Sequence, residues 1–203
     1  MSTLIFLFFT GKIYIQTIQL FLLIIDETDK FHYNKKGQID GTRPRRYPMH
    51  ILVLNGSPKG NYSITLQTIH YLEKIHPEHT FEILNVGQKV KALSQDFSPA
   101  AKAIEKADLL LFSYPVYTFI APYQLHRFIE LLKASGISLE GRFATQLSTS
   151  KHFYDVTAHR YIQDNCQDLG MKYIRGLSAI WTTCSPIKDS MMPESFFAMF
   201  AGP

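Results

Sequence analysis

Ile51-Leu52-Val53-Leu54-Asn55-Gly56-Ser57-Pro58-Lys59-Gly60-Asn61-Tyr62-Ser63-Ile64-Thr65 is the stretch on which the reading of this chain turns. Ile51–Asn55 is a short apolar run ended by Gly56, and a run of that kind suits a strand buried on both faces of a parallel sheet. Beyond the loop, Leu66, Ile69, Leu72 and Ile75 recur every three residues, which predicts a helix stopped by Pro77. The loop between is small and hydroxyl-rich. Its backbone N–H groups are free to face an anion, and the helix N-terminus adds a partial positive charge. Ser57, Ser63 and Thr65 can donate to phosphate oxygens, and Lys59 supplies a full charge. The plainer alternative is a capped helix with Ser63 or Asn61 as N-cap.

Two other phosphate motifs are excluded. Gly56 and Gly60 are too close for a Walker A loop, and no Lys-Ser/Thr pair follows. There is no G-x-G-x-x-G, and the second predicted strand, Thr80–Val86, ends without an acidic residue to hold a ribose.

Outward from this unit the alternation continues. Ser98 as N-cap and Pro99 at the first helical position open a helix to about Ala107. Leu109–Ser113 reads as the third strand. Pro122 opens a helix with Leu125, Phe128, Ile129 and Leu132 on one face, closed by Gly136. Phe143–Thr149 is a fourth strand. Asp155 caps a helix carrying Ala158, Ile162, Cys166 and Leu169, closed by Gly170, and Met171–Ala179 is a fifth strand. Five strands alternating with four helices predict a doubly wound α/β fold with a five-stranded parallel sheet. The favoured order, 2-1-3-4-5, puts the topological switch between strands one and three, where ligands bind at the carboxyl ends.

Composition bounds the rest. The chain has 203 residues, 46% hydrophobic and 19% charged, which fits one domain with an appendage. Net charge is +4 with pI ≈ 9.0, short of the clustered basic face of a nucleic-acid binder. Most of the excess lies before residue 50. Cys166 and Cys184 are too few for a metal cluster or a disulfide framework, which points to a reducing, cytoplasmic setting. Residues 4–25 are almost wholly apolar, long enough to cross a bilayer, and lack the features of a cleaved signal. Residues 1–48 are therefore read as an extension: a misassigned start ahead of Met49, a membrane anchor with the domain 49–179 on the cytoplasmic side, or an ordered extension of the domain.

The other carboxyl-end loops hold the remaining chemistry. Ser113–Pro122 is aromatic and apolar and stiffened by prolines, so a planar ligand can stack there with its phosphate on the first loop. The same loop can instead pack on a second subunit. Ser148–Asp155 gathers hydroxyls, Lys151 and His152, and His152 or Tyr154 can relay a proton.

Residues 50–179 resemble the flavodoxin-like NAD(P)H-dependent flavin and quinone reductases. The resemblance is carried by Asn-Gly-Ser-Pro-Lys (55–59) with Ser63 and Thr65, Tyr-Pro-Val-Tyr (114–117), and Thr-Ser-Lys-His-Phe-Tyr-Asp (149–155). It looks closest to a clostridial-type flavoprotein branch. The resemblance implies a flavodoxin-like fold and noncovalent FMN. Ser57, Lys59, Ser63, Ile64 (by its backbone) and Thr65 would take the phosphate. Pro115, Val116, Tyr117 and Thr118 would lie along the isoalloxazine, and Thr149, Ser150 and Lys151 would approach its pyrimidine edge. Tyr117, His152 and Tyr154 would be the catalytic candidates, and no metal is implied. Hydride would pass from NAD(P)H to flavin N5 and on to a small-molecule acceptor such as a quinone, another flavin or a nitro or azo compound. The alternative is a non-catalytic electron carrier or a fragment of a larger flavin/iron–sulfur protein. A homodimer is expected, with the aromatic loop at its interface.

The text changes after Ala179. Residues 180–203 contain the lone Trp181 and, with Pro186 and Pro193, leave little room for the helix that normally ends such a fold. The expectation is that the last helix is missing and that the tail is truncated or frame-shifted.

Overall fold

The computed structural model describes residues 48–150 and 155–180. β1 (His50–Asn55) lies between β2 (Thr80–Leu84) and β3 (Leu109–Val116), and both pairings are parallel. β4 (Phe143–Ser150) follows on β3. Two short strands, β5 (Lys172–Tyr173) and β6 (Leu177–Ile180), both pair parallel with β4. The order is 2-1-3-4-5 with the sixth strand also on β4.

The helices are α1 (Ile64–Ile75), α2 (Val86–Gln95), α3 (Ser98–Lys106), α4 (Tyr123–Ala134) and α5 (Val156–Asp168). β1 shows why the sheet is buried on both faces. Leu52 and Leu54 point to a cluster built with Val86, Leu93, Ile104, Leu125, Phe128 and Ile162, under α2 to α5. The alternate residues Ile51 and Val53 point to Leu66, Ile69 and Leu72 of α1. All four β1 side chains are fully buried. Gly136 and Gly170 follow the ends of α4 and α5 at φ of 67° and 74°, as a left-handed helix stop requires.

Four expectations are corrected. The second strand ends at Leu84, and Val86 opens α2, a helix not foreseen. Val86, Val90 and Leu93 are its buried stripe, spaced four and three residues apart. The fifth strand is broken at 174–176, where the chain runs tight against Gln146: a Cβ on Gly176 would lie 2.2 Å from the Gln146 Cγ and 2.4 Å from its carbonyl oxygen. α3 starts at Ser98 itself. Its side chain does not cap, and Asp96 Oδ1 accepts the Ser98 N–H at 2.9 Å instead.

β3 is three residues longer than expected and contains Pro115. Ser113 is the last β3 residue opposite β1, and its carbonyl accepts the Gly56 N–H at 2.8 Å. Two residues on, the Pro115 nitrogen points to the same side, which β1 has already left. The missing N–H therefore costs no ladder bond.

The readings of 1–48 and 180–203 lie outside the described residues, apart from Pro48 and Ile180. No helix among the described residues is long and apolar enough to cross a membrane.

Candidate functional site

The loop from β1 to α1 is wound around one side chain, Asn55. Its Nδ2 donates to the Gly60 carbonyl (3.0 Å) and to Asn85 Oδ1 (2.8 Å), and its Oδ1 accepts the Ser57 N–H (3.2 Å). Asn85 in turn donates to Asn61 Oδ1 at 2.8 Å. Backbone bonds close the curl, from Gly60 N–H to the Ser57 carbonyl and from Ser63 N–H to the Gly60 carbonyl, each 3.1 Å. Gly60 sits at φ 55°, and its missing Cβ is the space taken by the Gln88 side chain. Gly87 is tighter still: a Cβ there would stand 2.1 Å from the Ser57 carbonyl oxygen. The unforeseen helix α2 is thus the wall on which this loop rests.

Ser63 occupies the N-cap position of α1 but makes no capping bond. Its hydroxyl is buried and has no partner among the described residues. Ser57 is equally buried, and Lys59 is exposed beside it. The N–H groups of Ile64 and Thr65 lie in the first turn and have no intrahelical acceptor. Thr65 is fully buried and shares a 2.6 Å hydrogen bond with Thr149 at the end of β4. Two hydroxyls so paired use one hydrogen and keep the other for a further acceptor.

The same edge collects the second and third motifs. Pro115 pairs with Thr149 and Val116 with Ser150 in the β3–β4 ladder. Tyr117 and Thr118 emerge into solvent just beyond. Phe119, at φ 92°, is the non-glycine residue with a left-handed backbone among those described, and such strain gathers at functional loops. Ser150 is buried. Lys151, His152 and Tyr154 lie outside the described residues.

Exposed large apolar side chains among the described residues are Tyr62, Ile64, Tyr117, Phe119, Ile120, Tyr123 and Val156. Every one follows the carboxyl end of β1, β3 or β4. An apolar rim confined to one edge marks a surface that meets something.

Beneath the rim is a polar network that sequence reasoning missed. Tyr114, fully buried in β3, donates to Gln146 Oε1 at 2.5 Å. Gln146 Nε2 donates to the His159 carbonyl at 3.0 Å and also bonds the Tyr173 hydroxyl. Ser148 Oγ lies 2.7 Å from His159 Nε2. Asp155 Oδ2 accepts from Ser178 Oγ and stands 3.8 Å from the same histidine nitrogen. Burial pushes the Tyr114 and Tyr173 phenols above their ordinary range. Burial also holds His159 below the usual histidine value, against the opposing pull of Asp155 and with a smaller push from Arg175. Buried Cys166 has its thiol pushed up to about 12 and is an inert core residue.

A group with metal-ligand composition, His76, Glu78 and His79, lies at the opposite edge of the sheet. His79 Nδ1 accepts the Met49 N–H at 3.2 Å, which leaves the ring proton on Nε2, facing Glu78 Oε1 at 3.7 Å. A ring held in that tautomer offers no lone pair to a cation. The Glu78 carboxyl is lowered by its own backbone N–H, and further by His76 and His79.

A glycine-containing strand-to-helix loop at the switch point of a 2-1-3-4-5 parallel sheet is the arrangement of a doubly wound α/β domain. Residues 49–179 match the flavodoxin-like fold family, and the chain belongs to that family. A curated relative, the FMN-dependent NADH:quinone oxidoreductase 2 of Pseudomonas syringae pv. tomato, is 26% identical over a stretch covering 45% of this chain and 58% of that protein. The chain thus spans less than two thirds of that relative's length. Among solved structures, the NAD(P)H:quinone oxidoreductase of Methanothermobacter marburgensis superposes with a TM-score of 0.53 at 17% identity, covering 70% of this chain and 88% of that one. The FMN complex of an FMN-dependent NADH-azoreductase from Bacillus anthracis gives 0.51 at 16% identity, covering 74% and 93%. These two likenesses show the shared fold.

Proposed function

We propose that the chain binds FMN at this edge and works as an NAD(P)H-dependent reductase of a quinone, a second flavin or a similar small acceptor. The Ser63 hydroxyl carries the reading. It is buried and without a partner among the described residues, at the first turn of α1. A polar group left so costs about 1–3 kcal/mol, and an anion that accepts from it removes the cost. Ser57, Lys59, the N–H groups of Ile64 and Thr65, and the spare hydrogen of the Thr65–Thr149 pair complete a donor set with no acidic side chain in it. That chemistry fits a phosphate monoester.

FMN, when bound, supplies the two-electron chemistry that links nicotinamide to acceptor. The residues of this chain bind and orient. Pro115, Val116, Tyr117 and Thr118 offer an apolar wall for a planar ring, Thr149 and Ser150 offer polar groups at its far side, and Lys151, next in sequence, is the remaining candidate there. Tyr117, His152 and Tyr154 are the candidates to hold or deliver a proton at the bound acceptor. The named FMN-dependent relatives support the reading, as does the rim of exposed aromatics, which suits a flat organic acceptor. The same rim is proposed to pack against a second copy of the chain.

The test is a visible spectrum of the full chain after FMN is added and the excess removed. Retained flavin that NADH or NADPH bleaches and a soluble quinone restores is the expected result. Folded protein that retains no flavin refutes the site. Flavin retained without nicotinamide oxidation leaves the electron-carrier reading in its place.

A further inference from the structure

We propose that His159 is a positioning residue of the flavin site: it and Thr65 pin the carboxyl end of β4 from opposite faces of the sheet. The inference rests on the FMN reading above. It starts from two consecutive residues. Ser148 points to the α5 side and meets His159 Nε2 at 2.7 Å. Thr149 points to the α1 side and meets Thr65 Oγ1 at 2.6 Å. Both serine and threonine are buried, so neither bond competes with bulk water.

His159 is itself fixed from three directions. Its backbone N–H donates to the Asp155 carbonyl at 2.9 Å, and its own carbonyl accepts from Gln146 at 3.0 Å. Its ring nitrogen lies between Ser148 and the Asp155 carboxylate. Asp155 also holds Ser178, and Ser178 is the register partner of Ser148 across the β4–β6 ladder. Two facing serines on neighbouring strands are thus held by two residues four apart on one helix start. The clamp acts on the last residues of β4, where Thr149 and Ser150 must stay in register with the phosphate loop. A catalytic centre made of Ser148, His159 and Asp155 is excluded, because the carboxylate approaches the same ring nitrogen as the serine and the serine is fully buried.

The experiment titrates FMN into the full chain and into S148A, H159L and H159Q, recording the dissociation constant and the visible spectrum of the bound flavin. S148A and H159L should each weaken FMN about tenfold, the scale of one lost buried hydrogen bond, and shift the flavin bands. The double variant should be no weaker than H159L alone, since both changes remove one bond. H159Q, whose amide can still reach Ser148, should recover most of the affinity and the wild-type spectrum. A lower melting temperature with unchanged affinity and unchanged bands would overturn the proposal and make the network purely structural. Wild-type protein that binds no FMN sinks the FMN reading, and the clamp with it. Wild-type binding with S148A unaffected sinks the clamp alone.

Discussion

Replacing Gly87 by alanine tests whether α2 really shapes the anion loop. The added Cβ would stand 2.1 Å from the Ser57 carbonyl oxygen and 2.4 Å from its carbon, whereas real Cβ contacts do not fall below 3.0 Å. Loop or helix must therefore yield by about 0.9 Å, and neither atom belongs to a side chain that can swing away. Overpacking of this kind costs about 1–3 kcal/mol, more than alanine returns by its better helix propensity, at most about 1 kcal/mol. For a domain of this size that is a fall of about 4 °C in melting temperature per kcal/mol lost. The larger effect falls on the ligand. The Ser57 carbonyl is the acceptor that closes the loop through Gly60, so moving it displaces the donors around Ser63. A shift near 1 Å in a preorganised site should weaken FMN by about 100-fold. Fluorescence quenching of FMN, with thermal melting on the same sample, measures both. An alanine variant that melts and binds like wild type would refute the account of α2 as the wall of the loop.

Further outcomes follow from the same geometry. Ser63→Ala should raise the stability of the flavin-free chain by about 1–3 kcal/mol, because it removes an unpartnered buried hydroxyl, yet weaken FMN about tenfold and leave riboflavin binding unchanged; equal losses for both flavins would place the phosphate elsewhere. Gln146→Leu strips a partner from each of the buried Tyr114 and half-buried Tyr173 hydroxyls and should cost about 2–4 kcal/mol in urea denaturation, while an equal-sized change at exposed Gln167 should cost almost nothing. His159 has its folded value lowered, chiefly by burial, so the unfolded chain takes up its proton first as pH falls. Stability should therefore drop as pH goes below about 6.5, and H159Q should flatten that slope. Asp155 opposes this shift and Arg175 adds to it, and a wild-type slope no steeper than that of H159Q would contradict the burial argument.

Much of the architecture is written in local patterns. Ile51–Leu54, Leu109–Phe112 and the three-residue spacing from Leu66 to Ile75 each show their period within a few residues. So do the loop residues Ser57 to Thr65, since strand, glycine and helix start follow one another directly. α2 was hidden because Val86 also completes the β pattern of Thr80–Leu84, and Gly87 reads as a breaker until the Ser57 backbone beside it is known. Its own stripe, Val86, Val90 and Leu93, held the signal. The gap in the last strand lies tight against Gln146, some 30 residues away in sequence, and no local pattern encodes such an approach. The clamp is harder still. Gln146 and Ser148 look like the polar half of an ordinary strand, and His159 looks like an exposed helix residue, until topology brings them together.

The bond between Thr65 and Thr149 joins residues 84 positions apart. Loop closure over such a distance is slow, and pairings of this range come late in folding. A growing chain that has made β1 and α1 already holds most of the donors proposed for the phosphate, yet lacks the strand that fixes them. On the ribosome, affinity for FMN should then appear in one step, only after β4 and α5 have emerged. Flavin capture would so serve as a readout of completed folding, and a nascent chain stalled before residue 143 would have no grip on the cofactor.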